Sequence, residues 1–268
     1  MKTNTEGLVL MSRAAGDKDK LLTILTRDNG VLHCFARGAS VVGNRNFSVS
    51  QALIYANFTI YRGHNRCAVD EARLLHSFFE PSMELERIAL EQYFCELAMK
   101  LVPENTESSA PLDLLLNCLY LIKSGHPLEK IKSVFEVRLV TLCGWMPNLL
   151  YCQECGAYED ETMYFYPQEN VLRCRHCYRE APCGALSKGA LMAFRYLTYA
   201  EPKKIFSFQV APASLHQLSW CSEQYLLCAS DTVFGTLDYY HQVTSPFGEA
   251  DASSKPEEVL TVPPSQTS

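Results

Sequence analysis

Lys20-Leu-Leu-Thr-Ile-Leu-Thr-Arg-Asp-Asn-Gly-Val-Leu-His-Cys-Phe-Ala-Arg37 contains the clearest local signal for the fold of the N-terminal region. Two apolar runs flank the pair Asn29-Gly30. This pair is a strong hairpin signal, because both residue types tolerate the positive φ angles of a tight turn. The stretch therefore predicts two paired strands, at residues 20–26 and 31–37.

Three further runs, at residues 7–12, 53–62 and 67–76, are also short and apolar or alternating, with Arg62-Gly63 marking a turn. Alternation is clear in the fourth run, because side chains one residue apart point to opposite faces of a strand. One face carries Ile54, Ala56, Phe58 and Ile60, and the other carries Tyr55, Asn57, Thr59 and Tyr61. Five such strands in about 75 residues predict a small closed or partly closed barrel.

From Pro81 onward the apolar residues recur at three- and four-residue steps, which predicts helices packed around a core. The first predicted helix is capped by Ser82 and reaches Leu101, and the next two span residues 112–124 and 128–143. The third has one apolar face, made by Leu128, Ile131, Phe135, Leu139 and Leu142. A fourth helix, capped by Ser187, is predicted at residues 187–200, and a fifth runs from about residue 212 to 228 and could continue towards 240. Residues 244–268 are rich in Ser, Pro, Thr and Glu, so they cannot bury enough apolar surface to order themselves. We expect a disordered tail there.

Cys152-Gln-Glu-Cys155 is followed after 18 residues by Cys174-Arg-His-Cys177. A two-residue gap lets a tight turn aim both sulfurs of a pair at one ion, and two such turns supply four tetrahedral ligands for Zn²⁺. The sequence therefore predicts one zinc ion per chain, held by these four cysteines. Four unligated thiols are the alternative, and Cys183 is a second-choice ligand.

Four thiolates would close the coordination shell, whereas a catalytic zinc keeps one position open. A structural role is therefore expected for the metal. The other eight cysteines are scattered through apolar patterns and are expected to be small core residues. The chain shows no secretory signal and no long apolar run, so we expect a cytoplasmic protein with reduced thiols.

Several enzyme classes lack their sequence signatures in this chain. It contains no phosphate-binding P-loop, no Gly-x-Gly-x-x-Gly, no Gly-x-Ser-x-Gly and no His-Glu-x-x-His. The seven histidines are dispersed and form no evident acid–base pair. We therefore expect a binding protein and not an enzyme.

Positive charge collects only at the N-terminus of a chain whose net charge is −6. Residues 1–80 hold ten Lys and Arg against seven Asp and Glu, a net of +3, whereas residues 81–150 hold six against nine, a net of −3. Within residues 145–185 three arginines face six acidic residues, so this segment is expected to bind phosphate poorly. Aromatic and basic residues share one face of residues 31–37, namely His33, Phe35 and Arg37. Such a face suits single-stranded nucleic acid, and an ordinary solvated sheet face is the alternative.

The order of short motifs along residues 5–242 resembles the RecO family of bacterial DNA repair proteins. The motifs are Glu6-Gly-Leu-Val-Leu10, Gly16-Asp-Lys-Asp-Lys-Leu-Leu-Thr-Ile-Leu-Thr26, Gly30-Val followed by Ala36-Arg-Gly-Ala39, Leu53 with Tyr61-Arg-Gly63, Phe135-Glu-Val-Arg-Leu139, Gly144-Trp-Met-Pro-Asn148 and the two cysteine pairs. Of these motifs, only the cysteine set is specific by itself. The other motifs indicate the family through their order along the chain.

The resemblance implies an α+β multidomain protein: an N-terminal OB-fold barrel (1–80), a helical domain (81–149 and 184–243) with an inserted four-cysteine zinc module (150–183), and the tail (244–268). It implies binding of single- and double-stranded DNA, annealing of complementary strands, and work with RecR and the single-strand binding protein to load the recombinase RecA. It also implies association with the nucleoid.

Carried over at matching positions, the DNA-contacting candidates are Lys20, Arg37, Arg45, Arg62 and Arg66. Each could instead be a charge that merely solvates the barrel. The chain departs from the family where a basic loop often follows the Arg-Gly-Ala stretch, because residues 40–47 carry Arg45 alone. A partner such as RecR is then expected to supply part of the affinity. A zinc-containing adaptor that binds only proteins is the alternative function.

Overall fold

A computed structural model describes residues 2–63, 66–80 and 83–245 of the chain. Ser82, the predicted cap of the first helix, and residues 246–268 of the predicted tail lie outside the described residues. Among the described residues, no helix is both long and apolar enough to cross a membrane.

Five strands form a closed barrel in the order β1-β2-β3-β5-β4. They are β1 (Lys2–Ala14), β2 (Lys20–Thr26), β3 (Gly30–Ala36), β4 (Ile54–Arg62) and β5 (Cys67–Ser77). The five predicted strands are confirmed, although β1 is longer than the predicted 7–12. It is longer because its first half pairs with β4 and its second half with β2. The barrel closes through a parallel pairing of β3 with β5.

The predicted turn at Asn29-Gly30 joins β2 to β3, with Thr26 opposite Gly30. Gly30 has a φ of +64°, and a Cβ atom there would lie 1.9 Å from the carbonyl oxygen of Pro103. Only glycine fits, because the loop after the first helix crosses the turn. This contact fixes the barrel against the helical part of the chain.

The barrel has its own apolar core, made by the inward faces that the alternation predicted. Ile54, Ala56, Phe58 and Ile60 are all buried, together with Leu32, Cys34 and Ala36 from β3. Its outward side chains on β1 to β3 include Leu8, Leu25 and Val31, which belong to a second core shared with the helices.

Six α-helices follow within the described residues. They are α1 (Leu85–Leu101), α2 (Ser109–Lys123), α3 (Leu128–Leu142), α4 (Lys188–Tyr199), α5 (Pro212–Ser230) and α6 (Gly235–Thr244). The Ser187 hydroxyl accepts a hydrogen bond from the Ala190 N–H, which confirms the predicted cap of α4. The last predicted helix is in fact two, because Asp231 adopts a left-handed conformation with a φ of +46° and ends α5.

A three-stranded sheet of order β7-β6-β8 carries the cysteine segment. It contains β6 (Thr162–Tyr166), β7 (Val171–Cys174) and β8 (Gly184–Ser187). Phe165, Leu172 and Leu186 from this sheet are buried in the same core as the helices. The segment is therefore packed on the helical part of the molecule.

The scattered cysteines divide by burial. Cys34, Cys95, Cys118 and Cys221 are buried, as predicted for small core residues, whereas Cys67, Cys143 and Cys183 are half-buried and Cys228 is exposed.

Candidate metal centre and nucleic-acid interface

The two predicted cysteine pairs come together at one point. All four Sγ atoms, from Cys152, Cys155, Cys174 and Cys177, lie within 4.8 Å of one another, and those of Cys155 and Cys174 are 3.7 Å apart. Four sulfurs placed about 2.3 Å from one zinc ion at tetrahedral corners are about 3.8 Å from each other. The spacing of the sulfurs therefore fits a single tetrahedral ion.

Backbone hydrogen bonds shape the first pair into a knuckle. The Cys152 N–H donates to the Ala157 carbonyl at 2.8 Å, and the Gly156 N–H donates to the Cys152 carbonyl at 2.9 Å. Gly156 has a φ of +74°, which glycine adopts without strain. The Gln153 N–H donates to the Leu172 carbonyl of β7, so the knuckle is tied to the strand that ends in Cys174.

The thiols of the cluster are chemically unequal. Burial opposes ionisation of Cys152, but backbone N–H groups of Cys155, Cys174 and Glu154 outweigh it and lower the pKa of this thiol to about 6. Neighbouring sulfurs, above all Cys174, raise the pKa of Cys177 to about 12. Four thiolates this close repel one another, so a divalent cation is the group that this donor set fits.

Two other candidates near the cluster are not part of it. His176 is exposed between two cysteines. Cys183, the second-choice ligand, lies beside the Tyr166 hydroxyl and is not part of the cluster of four sulfurs.

The arginines around the cluster are neutralised by carboxylates. Arg173 pairs with Glu169 at 2.7 Å, Arg175 with Glu161 at 2.7 Å, and Arg179 with Glu154 at 2.8 Å. This pairing agrees with the poor phosphate binding predicted for residues 145–185 from their acidic balance.

On the barrel, Arg66 contacts the ring of Phe35, and Arg37 lies close by in the sequence. The Arg66 guanidinium lies 5.7 Å from the centre of that ring, and Arg37 follows β3 two residues after Phe35. Both arginines are exposed. Among the described residues, neither makes an ion pair with a carboxylate.

The pairing of three strands extends this arrangement across the outer face. Phe35 on β3 is opposite Ala68 on β5, and Ala68 is opposite Tyr61 on β4. Two aromatic rings thus occupy one row with a small residue between them, and Tyr61 is 50% exposed. We call Phe35, Tyr61, Arg37 and Arg66 the aromatic–cationic row.

The other three predicted contacts are held by groups of the protein. Lys20 lies over the ring of Phe47 at 5.7 Å, and partial burial lowers the pKa of its amine. Arg45 donates to the Asp70 carbonyl at 2.8 Å and pairs with Glu71 at 3.4 Å. Arg62 is half-buried and donates to the Asn105 side chain at 3.1 Å. Among the described residues, two of the five candidates, Arg37 and Arg66, are therefore exposed and make no ion pair, and the DNA-contact role of all five stays a prediction.

The sequence placed Tyr61 on the polar and aromatic face of its strand, but it did not indicate that this residue shares a row with Phe35. Its proximity to Phe35 depends on β5 inserting between β3 and β4, a long-range pairing with no local signal in the sequence.

Comparison with known proteins covers almost the whole chain. The family model described as "Recombination protein O N terminal" matches residues 1–78, and "Recombination protein O C terminal" matches residues 83–231. The chain is 28% identical over 238 residues to a protein of Acetivibrio thermocellus named DNA repair protein RecO, covering 88% of this chain and 94% of that protein. A protein of the same name from Desulforudis audaxviator is 34% identical over 176 residues, which are 65% of this chain and 69% of that protein.

Proposed function

Because the chain belongs to the recombination protein O (RecO) family of DNA repair proteins, we propose that it is a recombination mediator. In this proposal it binds single- and double-stranded DNA and anneals complementary strands. With RecR and the single-strand binding protein, it helps to load the recombinase. The barrel acts as an OB-fold, and the four cysteines hold one structural zinc ion.

The aromatic–cationic row is the observation that carries the proposal. Bases of any sequence can stack on the rings of Phe35 and Tyr61, while the guanidinium groups of Arg37 and Arg66 lie where phosphates would pass. Single-strand binders without sequence preference combine these two features on small barrels. The row lies in the only net basic region of the chain.

The mechanism is binding and not bond making. Two DNA strands repel each other through their phosphates, and arginines that neutralise some of that charge allow the strands to approach. A bound zinc ion would cross-link the knuckle at Cys152 to the end of β7 and so hold the module on the helices. It takes no part in contact with DNA, because the arginines around it are already paired.

The proposal is tested with the double variant Arg37→Glu/Arg66→Glu and short labelled strands. We expect binding of single-stranded DNA to weaken at least about tenfold at low salt, and the slope of log affinity against log salt to fall by roughly 1–2, because about two phosphate contacts are lost. Strand annealing should slow in parallel. Lys203→Glu, which reverses an exposed charge on the helical part, is the matched control and should change neither measurement.

An adaptor that binds only proteins is the second candidate function. Exposed apolar side chains gather in sequence just before the zinc knuckle, namely Trp145, Met146, Leu150 and Tyr151, and such a cluster is typical of a protein contact. The same double variant separates the two functions. Unchanged DNA binding and annealing would exclude the mediator mechanism and leave the adaptor.

A further inference from the structure

A cavity of about 770 Å³ lies between the outer face of the barrel and α1. Its walls are largely apolar and include Leu10, Leu21, Leu53, Phe79, Ile88 and Met99. This volume is within the range of about 300–1,000 Å³ that small-molecule sites occupy. The aromatic–cationic row and the cysteine cluster contribute no residue to its lining, so it is separate from both.

Glu91 of α1 is the unusual group in this cavity. Its side chain lines the wall, the residue is only 3% exposed, and its buried Oε1 has no hydrogen-bond partner among the described residues. Burying a carboxyl group without a partner is costly, so such groups are normally paired. Here burial raises the pKa of Glu91 to about 7.

The other charges at the cavity do not compensate Glu91. Glu96 is already paired with Lys100 at 2.7 Å and accepts from the Thr236 N–H. Glu80 lies 3.8 Å from Lys123. The Nε of Arg13, on the barrel side, donates to the Met11 sulfur. Three carboxyl groups and two cationic side chains thus line the cavity. Lys123 offsets part of the charge of Glu91 from a distance, but among the described residues this buried carboxyl has no ion pair and its Oε1 has no hydrogen bond.

We propose that this cavity binds a small organic cation, an apolar or aromatic molecule that carries one amine. The ammonium group donates to the Glu91 carboxylate, and the apolar body fills the space between α1 and the barrel. A charge-assisted hydrogen bond of this kind is about twice as strong as a neutral one. The ligand would supply a hydrogen-bond donor to a buried carboxylate oxygen that has no partner among the described residues.

A molecule bound in this cavity would contact both the barrel and α1. β3 contributes His33 to the cavity wall, and Phe35 of the aromatic–cationic row lies two residues further along the same face of that strand. The proposal stands independently of DNA binding, because it depends only on the shape of the cavity and on Glu91.

The test uses two fluorescent probes that share one aromatic body. Dansylcadaverine carries a primary amine on a short alkyl chain, and dansylamide has no amine. With the full-length, zinc-containing protein we expect saturable binding of one dansylcadaverine per chain and at least tenfold weaker binding of dansylamide. Glu91→Gln should weaken dansylcadaverine binding about tenfold and leave dansylamide unchanged. Glu86→Gln, an exposed carboxyl on the same helix, is the matched control.

Equal affinity for the two probes, or an unchanged affinity of Glu91→Gln for dansylcadaverine, would overturn the proposal. So would the absence of saturable binding to the wild-type protein. If Glu91→Gln does not fold, competition on the wild-type protein decides the question. Hexylamine should displace dansylcadaverine at concentrations where hexanol and hexanoate do not, and equal displacement by all three contradicts a carboxylate-recognised cation.

Discussion

At the scale of single residues, Glu91 makes the sharpest prediction about stability. Its pKa is raised by burial to about 7, whereas an unfolded glutamate titrates near 4.3. The folded state therefore binds more protons than the unfolded state between these values. Stability is lost as the pH rises through this window, and the full cost is present above the folded pKa.

We expect Glu91→Gln to raise the free energy of unfolding at pH 8.5 by up to roughly 3 kcal/mol, and to have little effect at pH 4. Urea denaturation at several pH values measures the difference. The control Glu86→Gln should show no such pH dependence, because that carboxyl is exposed. A Glu91→Gln curve parallel to the wild type across this range would contradict an unpaired carboxyl at this position.

At the scale of elements, α3 is the helix that the others surround. Every residue from Ile131 to Val140 is buried, including Lys132 and Glu136, whereas the sequence predicted a single apolar stripe. Leu142, a member of that stripe, is instead 38% exposed. These polar side chains are tolerated because they bond to one another and to α1 and α5, while Arg138 donates to backbone carbonyls at the end of α4.

This network joins four helices, α1, α3, α5 and α6, around Lys132. Its amine pairs with Glu136 at 2.7 Å and with Glu223 of α5 at 2.6 Å. The Tyr93 hydroxyl of α1 donates to Glu136 at 3.0 Å, and His241 of α6 lies 3.0 Å from Glu223. Burial opposes the ionisation of Glu223, but His241 and Lys132 outweigh it and lower its pKa to about 2.

Lys132→Met should destabilise the protein by about 3–5 kcal/mol, because it leaves the fully buried Glu136 carboxylate without its cation and Glu223 with His241 alone. The thermal midpoint measures the loss. Lys123→Met removes a surface lysine whose nearest carboxylate is 3.8 Å away, and its effect should stay within about 1 kcal/mol. A similar small effect of both substitutions would show that the network contributes little.

The elements also show what could be predicted from sequence. Local signals placed all five barrel strands, the hairpin at Asn29-Gly30 and the cap at Ser187, because each depends on neighbouring residues. β8 was missed, since its four residues are identified only by pairing with β6. The meeting of the four cysteines was predicted because the spacing within each pair is a local signal. The aromatic–cationic row and the cavity at Glu91 were not predicted, because each is formed by segments that are far apart in the sequence.

At the scale of the whole molecule, the two cores lead to different expectations for the two ends of the chain. The barrel interior packs on itself, whereas the sheet that carries the cysteines shares its core with the helices. Loss of a metal ion from the cluster should therefore loosen the small sheet and the helical part first. The barrel should retain its own packing.

We expect one zinc ion per chain by elemental analysis. Removal with a strong chelator, or the substitution Cys152→Ser or Cys174→Ser, should cost at least about 3 kcal/mol and lower the thermal midpoint by roughly 6–12 °C, because metal affinity at a structural site is folding free energy. Hydrogen exchange should accelerate in β6 and β7 and remain slow in β4 and β5. Cys228→Ser, at an exposed cysteine outside the cluster, is the control and should change neither the zinc content nor the midpoint. A metal-free protein of normal stability would show that the four sulfurs hold no structural ion.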